Sequence, residues 1–367
     1  MSKRATAGIL GASGFIGSRL AEWLILNDLA DVRPIVRSFR GLSRLSRFDL
    51  DSRVADATDQ AGLTTELQGC DVVFHCVVGG HETILKSIEA TYRAAAAAGV
   101  RRLVYLSSAV VHGHNPAPGT DDDSELLANQ PFEYNVSKVM AEQRLTELSQ
   151  DRKVETVVLR PCIVFGPRSQ WWTAQVATQL LLKTAYLVEG GTGICNTIYI
   201  DNLVKAMWLA SAEPAAAGQA FLLTDGERVT WRDLYASVAA AVNVDPAGIL
   251  SVSLEEMREV QRVALVQKRL GKIKQSRVSR LAIGMMSEKL KHVGRAVLST
   301  PPPPPGTAAP VSAPSPVIDP EITSLQWCES MLPIAKAATV LGYQPQVSFK
   351  DASARTAAWL RFALGVS

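Results

Sequence analysis

Residues 8–18 read GILGASGFIGS, with Gly11, Gly14 and Gly17 three apart directly after a short apolar run. Glycine inside a helix costs roughly 1 kcal/mol relative to alanine, so this spacing needs a physical reason. A sharp strand-to-helix turn supplies one. Gly11 permits the turn, Gly14 lets backbone lie close to a pyrophosphate, and Gly17 lets the helix pack tightly. Amides near Ser13, Gly14, Phe15 and Ile16 then meet phosphate at the positive end of the helix.

The surrounding sequence gives that turn its context. TAGILG, VRPIVR, DVVFHCVV and RRLVYLSS read as strands; FIGSRLAEWLILND and SIEATYRAAAAAG read as helices between them. Strands alternating with helices predict an α/β fold, a doubly wound parallel sheet covered on both faces. The glycines sit in the first strand–helix turn, where a dinucleotide-binding unit requires them.

Composition excludes several classes. Apolar residues make up 47% and charged residues 20%, the balance of a globular protein with a proper core. A net charge of +3 is too small to predict a nucleic-acid partner. The start, MSKRATAGIL, lacks the apolar stretch and cleavage site of a secretory signal, and no window holds 18 uninterrupted apolar residues. The five cysteines are odd in number and without CxxC spacing, which fits buried thiols in a reducing, cytoplasmic setting.

YNVSK at 134–138 carries the chemistry. If a hydride moves between a nicotinamide and a carbon bearing oxygen, a proton must move on that oxygen. Tyrosine, with a free pKa near 10, suits this if its pKa is lowered. Lys138 lies one helical turn from Tyr134, where its ammonium is expected to favour the phenolate and to bond the nicotinamide ribose.

GASGFIG at 11–17 together with YNVSK resembles the extended short-chain dehydrogenase/reductase family, which includes NAD(P)-dependent epimerases, dehydratases and several alcohol-forming reductases. LSSAVVHG at 106–113, LRPCIVFGP at 159–167, TIYIDNLVKA at 197–206 and KAATVLGYQPQVSFKDA at 336–352 are similar to further landmarks in the family's order. The resemblance implies a Rossmann core with a smaller C-terminal substrate lobe. It favours Ser108 over Ser107 as the active serine, because a small residue follows it; Ser108 would donate a hydrogen bond to the substrate oxygen. It also likens Asp56 to an adenine-contacting aspartate and takes CVVGG at 76–80, including Val77, past the cofactor. His112 takes the place of an aromatic bordering the substrate. With His114 it has no third ligand at metal spacing, so no metal is expected.

The second strand ends IVRSFRG, with no acidic residue to accept the adenosine ribose hydroxyls. Arg37, with Arg40 nearby, suits a 2′-phosphate, so NADP is expected and NAD is the alternative. SSA stands at 107–109 where family dehydratases carry Thr-Asp-Glu, so the acid–base pair for expelling water is missing. Ile163 replaces an asparagine frequent in nucleotide-sugar members, and with Trp171 and Trp172 it points to a partly apolar small-molecule substrate. Oxidation or reduction of a carbonyl/alcohol pair leads, nucleotide-sugar epimerisation follows, and a non-catalytic nucleotide-sensing or scaffold protein is the reading of another class.

The expected organisation is a cofactor core over 1–167, a lobe segment over 168–195, a return to the core over 196–212 and the lobe over 213–298. A Pro-rich linker follows over 299–320, then a closing segment over 321–367. Residues 258–298 interleave eleven Lys/Arg with apolar residues at roughly helical spacing. They read as a solvated helical face, a peripheral membrane-surface contact or a cover over an acidic substrate. By resemblance, the Tyr134 helix and the alanine-rich helix at 87–98 form a homodimer contact.

Overall fold

A computed structural model describes residues 4–255 and 318–365. The basic stretch 258–298 and the Pro-rich stretch to residue 317 therefore lie outside the described residues. Seven strands form one sheet: β1 (Thr6–Leu10), β2 (Asp31–Val36), β3 (Arg53–Val54), β4 (Val72–His75), β5 (Arg102–Leu106), β6 (Glu155–Pro161) and, later, β10 (Ala220–Leu223). Their order is β10-β6-β5-β4-β1-β2-β3 and every pairing is parallel. The chain thus carries the doubly wound sheet that its alternating pattern predicts.

Each residue of β4 and β5 is buried, as strands covered on both faces must be. Helices α1 (Phe15–Leu26) and α6 (Ile200–Ala212) cover one face. Helices α2 (Gln60–Glu66), α3 (His81–Ala98) and α4 (Glu133–Ser149) cover the other, around Leu63, Ile88, Tyr92 and Leu145. The strand order reverses between β1 and β4. The crevice outside the carboxyl ends of these strands is where such sheets bind ligands, and the glycine turn leaves β1 there.

The remaining elements build a smaller layer beside that crevice. A short pair joins β7 (Ile163–Phe165) to β9 (Thr197–Tyr199), and α6 continues directly from β9 to pack against α1, β5 and β6. Helix α5 (Gln175–Leu181) packs on α7 (Trp231–Ala241), and β8 (Tyr186–Val188) pairs with β11 (Leu250–Val252). After residue 317 come α8 (Pro320–Gln326), α9 (Ala335–Leu341) and α10 (Phe349–Leu364), the last packed on α7. Of the two tryptophans expected to shape a pocket, Trp171 is 67% exposed, whereas Trp172 tilts onto Trp231 at 5.6 Å. Among the described residues, no helix is long and apolar enough to cross a membrane.

Candidate active site

The turn after β1 explains two of its glycines from the protein's own atoms. Gly11 has φ +77°, and a Cβ there would lie 2.7 Å from the Cys76 carbonyl oxygen. A Cβ on Gly17 would lie 2.4 Å from the Gly11 carbonyl oxygen, so this glycine seats α1 on the turn itself. Gly14 differs: it is exposed, and its Cβ would meet only the Gly11 oxygen at 3.2 Å. Its amide is spent on the Gly11 carbonyl at 2.9 Å, which removes it from the expected phosphate-facing set. The expected amides of Ser13, Phe15 and Ile16 remain, and that of Gly17, in the first turn of α1, joins them. An open, Cβ-free cradle over a helix N-terminus fits a dinucleotide pyrophosphate.

Two further segments border this cradle. The turn Phe39–Arg44 presses on it, since a Cβ on Gly41 would lie 2.5 Å from the Ser13 Cβ. Arg37, just past β2, is exposed. Asp56 is held below the usual carboxylate range by its bonds from the Thr58 amide (2.8 Å) and hydroxyl (2.7 Å), with the nearby Arg37 charge assisting. Val77 is half-buried where the chain leaves β4. Beyond it His81 opens α3 and its Nδ1 lies 2.8 Å from the Ser137 Oγ on α4, tying that loop to the helix that carries Tyr134 and Lys138.

Tyr134 and Lys138 are brought together, as their spacing predicts, beyond the strand end that carries Ser108. Ser108 opens the short turn Ala109–His112 beyond β5, where its hydroxyl accepts from the Val110 amide at 3.5 Å, and it lies near enough to the Tyr134 phenol to favour its ionisation. The Lys138 ammonium lies 5.8 Å from the centre of the Tyr134 ring, donates to the Leu106 carbonyl at 2.8 Å and approaches the Tyr105 hydroxyl at 3.4 Å. The expected lowering of the phenol's pKa is not what the polypeptide alone produces. Burial pushes Tyr134 up to about 12, against the lowering effect of Ser108, and it pushes Lys138 down to about 8, where the Glu142 charge holds it from falling further. The enclosed setting dominates, so the phenol is protonated at neutral pH.

Ser107 faces the other way. It is 4% exposed and donates to the Glu142 carboxylate, which also takes two good bonds from Arg160, the shorter 2.7 Å. Arg160 donates onward to the Asp122 carbonyl at 2.7 Å and to His112 Nε2 at 3.2 Å. Because the guanidinium can only donate, Nε2 accepts, and Nδ1 carries the proton toward the Glu125 carbonyl at 3.2 Å. His112 is therefore 3% exposed, with both ring nitrogens engaged inside this network. Its imidazole is instead the wall that Arg160 needs. Glu142 was visible in the sequence as the next turn after Tyr134 and Lys138, YNVSKVMAE, on the same helical face.

A cleft of about 260 Å³ lies between α1 and α6 and shares only Phe15 with the predicted site. Its charges are already paired, Arg19 with Asp201 at 2.6 Å and Arg47 with Glu22 at 3.0 Å, so it is a salt-bridged seam. The five cysteines are free thiols, and no group of His, Cys, Asp and Glu suited to a metal occurs among the described residues.

Comparison with known proteins matches this architecture. The NAD dependent epimerase/dehydratase family model covers residues 7–223. The chain belongs to that family. Its members are NAD(P)-dependent reductases, dehydrogenases and epimerases. It is 26% identical to 4-hydroxy-2-methyl-3-oxo-4-farnesyl-3,4-dihydroquinoline-1-oxide ketoreductase of Stigmatella aurantiaca, over 61% of this chain and 69% of that one. It is 29% identical to 2-alkyl-3-oxoalkanoate reductase of Stenotrophomonas maltophilia (strain K279a), over 64% of this chain and 74% of the relative. In fold it matches UDP-glucose 4-epimerase of Thermotoga maritima, solved with UDP-glucose, with a TM-score of 0.68 at 16% identity, covering 98% of this chain and 99% of the other.

Proposed function

We propose that this chain reduces a carbonyl on a partly apolar small molecule to an alcohol, with NADP as its cofactor. The observation that carries this is the Lys138 ammonium, 5.8 Å from the Tyr134 ring and bonded to the Leu106 carbonyl at 2.8 Å, which sets the phenol and the ammonium together by Ser108 at the carboxyl end of β5. The amides of Ser13, Phe15, Ile16 and Gly17 would hold the diphosphate, Asp56 and Val77 would flank the adenine side, and Arg37 would meet the 2′-phosphate. Lys138 would bond the nicotinamide ribose. Once bound, the nicotinamide supplies the hydride.

The residues do the rest. Ser108 orients the substrate oxygen and stabilises charge developing there. Tyr134, protonated at neutral pH, delivers its proton to that oxygen, and the ammonium of Lys138 steadies the phenolate left behind. No acid–base pair for expelling water stands at 107–109, which disfavours dehydration.

Epimerisation is the second reading, because the family holds both activities. It returns its hydride and consumes no cofactor overall, so net oxidation of NADPH across a carbonyl panel separates the two. The decisive variant is Tyr134→Phe: kcat falls on the order of 10³-fold while affinity for NADPH stays within about twofold. Full activity in that variant would overturn the role assigned to the phenol. The outer faces of α3 and α4 are proposed as the homodimer contact.

A further inference from the structure

A second phenol meets the Lys138 ammonium. Tyr105, on β5, faces the layer of α3 and α4 and is wholly buried there among Val73, Ile88 and Ala141. Its hydroxyl oxygen lies 3.4 Å from the Lys138 Nζ and its ring centre 4.9 Å away, whereas the centre of the Tyr134 ring is at 5.8 Å. An ammonium only donates, so the Tyr105 oxygen accepts. The next residue of β5 accepts as well, through the Leu106 carbonyl at 2.8 Å. Two of the ammonium's three donors are thus taken by consecutive residues of one strand end.

Tyr105 is itself held. Its ring meets that of His75, its register partner on β4, edge to face at 5.4 Å. His75 Nε2 lies 3.1 Å from the Ser87 Oγ of α3, and Ser87 donates to the Ile84 carbonyl at 3.2 Å. With the Ser87 proton committed there, Nε2 carries the other and donates to Oγ. Burial, then the Lys138 charge, push His75 down to about 3, so it stays neutral beside the ammonium. Burial also keeps Tyr105 well above the usual phenol range, so its hydroxyl stays protonated. A flexible lysine stem therefore ends against a hydroxyl whose ring is packed, through β4, onto α3.

We infer that Tyr105 is a positioning residue for Lys138: its hydroxyl oxygen fixes the direction of the ammonium and, with the Leu106 carbonyl, leaves one N–H for a ligand. The consequence for the cofactor rests on the reading above, in which Lys138 bonds the nicotinamide ribose. A lysine held in advance gives up less rotamer freedom on binding than one the ligand must order. The titratable groups around the ammonium are Tyr105 on β5, Tyr134 and Glu142 on its own helix, His75 on β4 and Cys76 just after it.

The test uses the full chain and compares wild type with Tyr105→Phe, which keeps the ring and loses the oxygen. Tyr92→Phe is the control, because Tyr92 is buried in the same core but bonds Asp151. ¹³Cε-lysine NMR is recorded without cofactor, with Lys138→Met assigning the signal. The Lys138 titration should move to lower pH by about half a unit in Tyr105→Phe, since an acceptor that favours the charged form is gone. By calorimetry, NADP⁺ should bind about fivefold more weakly to Tyr105→Phe and within about twofold of wild type to Tyr92→Phe. A Lys138 titration that Tyr105→Phe leaves in place, or that Tyr92→Phe moves as far, overturns the proposal. A moved titration with unchanged NADP⁺ affinity upholds the hold on Lys138 and counts against the ribose contact assigned above.

Discussion

Ser107 and Ser108 are neighbours that belong to two unlike regions. Behind β5, Ser107, Glu142, Arg160 and His112 are buried and bond one another: Glu142 accepts and Arg160 donates. In front, Ser108, Tyr134 and Lys138 are enclosed but incompletely matched, and burial drives the phenol and the ammonium toward their neutral forms. The rear region holds the strand end and α4 in register. The front keeps bonding capacity in reserve for ligands. Stability and reactivity are thus sorted onto opposite faces of one strand end, one residue apart.

Substitutions can break that division in order of expected size. Glu142→Gln should cost the most, about 3–5 kcal/mol by denaturant midpoint, because it leaves the buried Arg160 charge without its partner. Ser108→Ala should lower kcat on the order of 10²-fold, about 3 kcal/mol, with stability nearly unchanged; Ser107→Ala should do the reverse, losing about 1 kcal/mol of stability and little kcat. If the two serines behaved alike, the division would fail.

Lys138→Met should gain stability, roughly 3 kcal/mol at pH 7, while abolishing turnover. The folded pKa of this lysine, about 8, lies below its ordinary 10.5, so burying the charge penalises the fold fully below pH 8. Wild-type stability should therefore rise between about pH 8 and 10.5, and thermal melts of Lys138→Met should lack that rise. The smallest effect is expected at Arg37→Ala, which should raise KM for NADPH about tenfold and leave that for NADH unchanged. Equal losses with both cofactors would remove Arg37 from the 2′-phosphate.

What the sequence made legible was local. The glycine turn announces itself by its spacing after a strand, and Gly17 answers a clash within the turn itself, although the Cys76 carbonyl that Gly11 makes room for lies far along the chain. Tyr134 and Lys138 share a helical face, and the alternating strands and helices fix a parallel sheet. Directions of proton affinity were not legible, since they depend on how deeply the third dimension encloses each group; the expected phenolate gave way to a protonated phenol for this reason. The inward turn of His112 was equally hidden, because Arg160, which captures it, lies on β6, beyond the catalytic helix in the chain.

Val252 and Leu254, before residue 256, and Ile318 and Ile322, after residue 317, meet in one small apolar cluster with Tyr186 and Val188. The chain therefore departs and returns through the same seam. The two ends are thereby clamped to one another by side chains of the described residues alone, so the position of α8 beside His114 is set by this seam and by the Tyr186 hydroxyl that brackets Asp319.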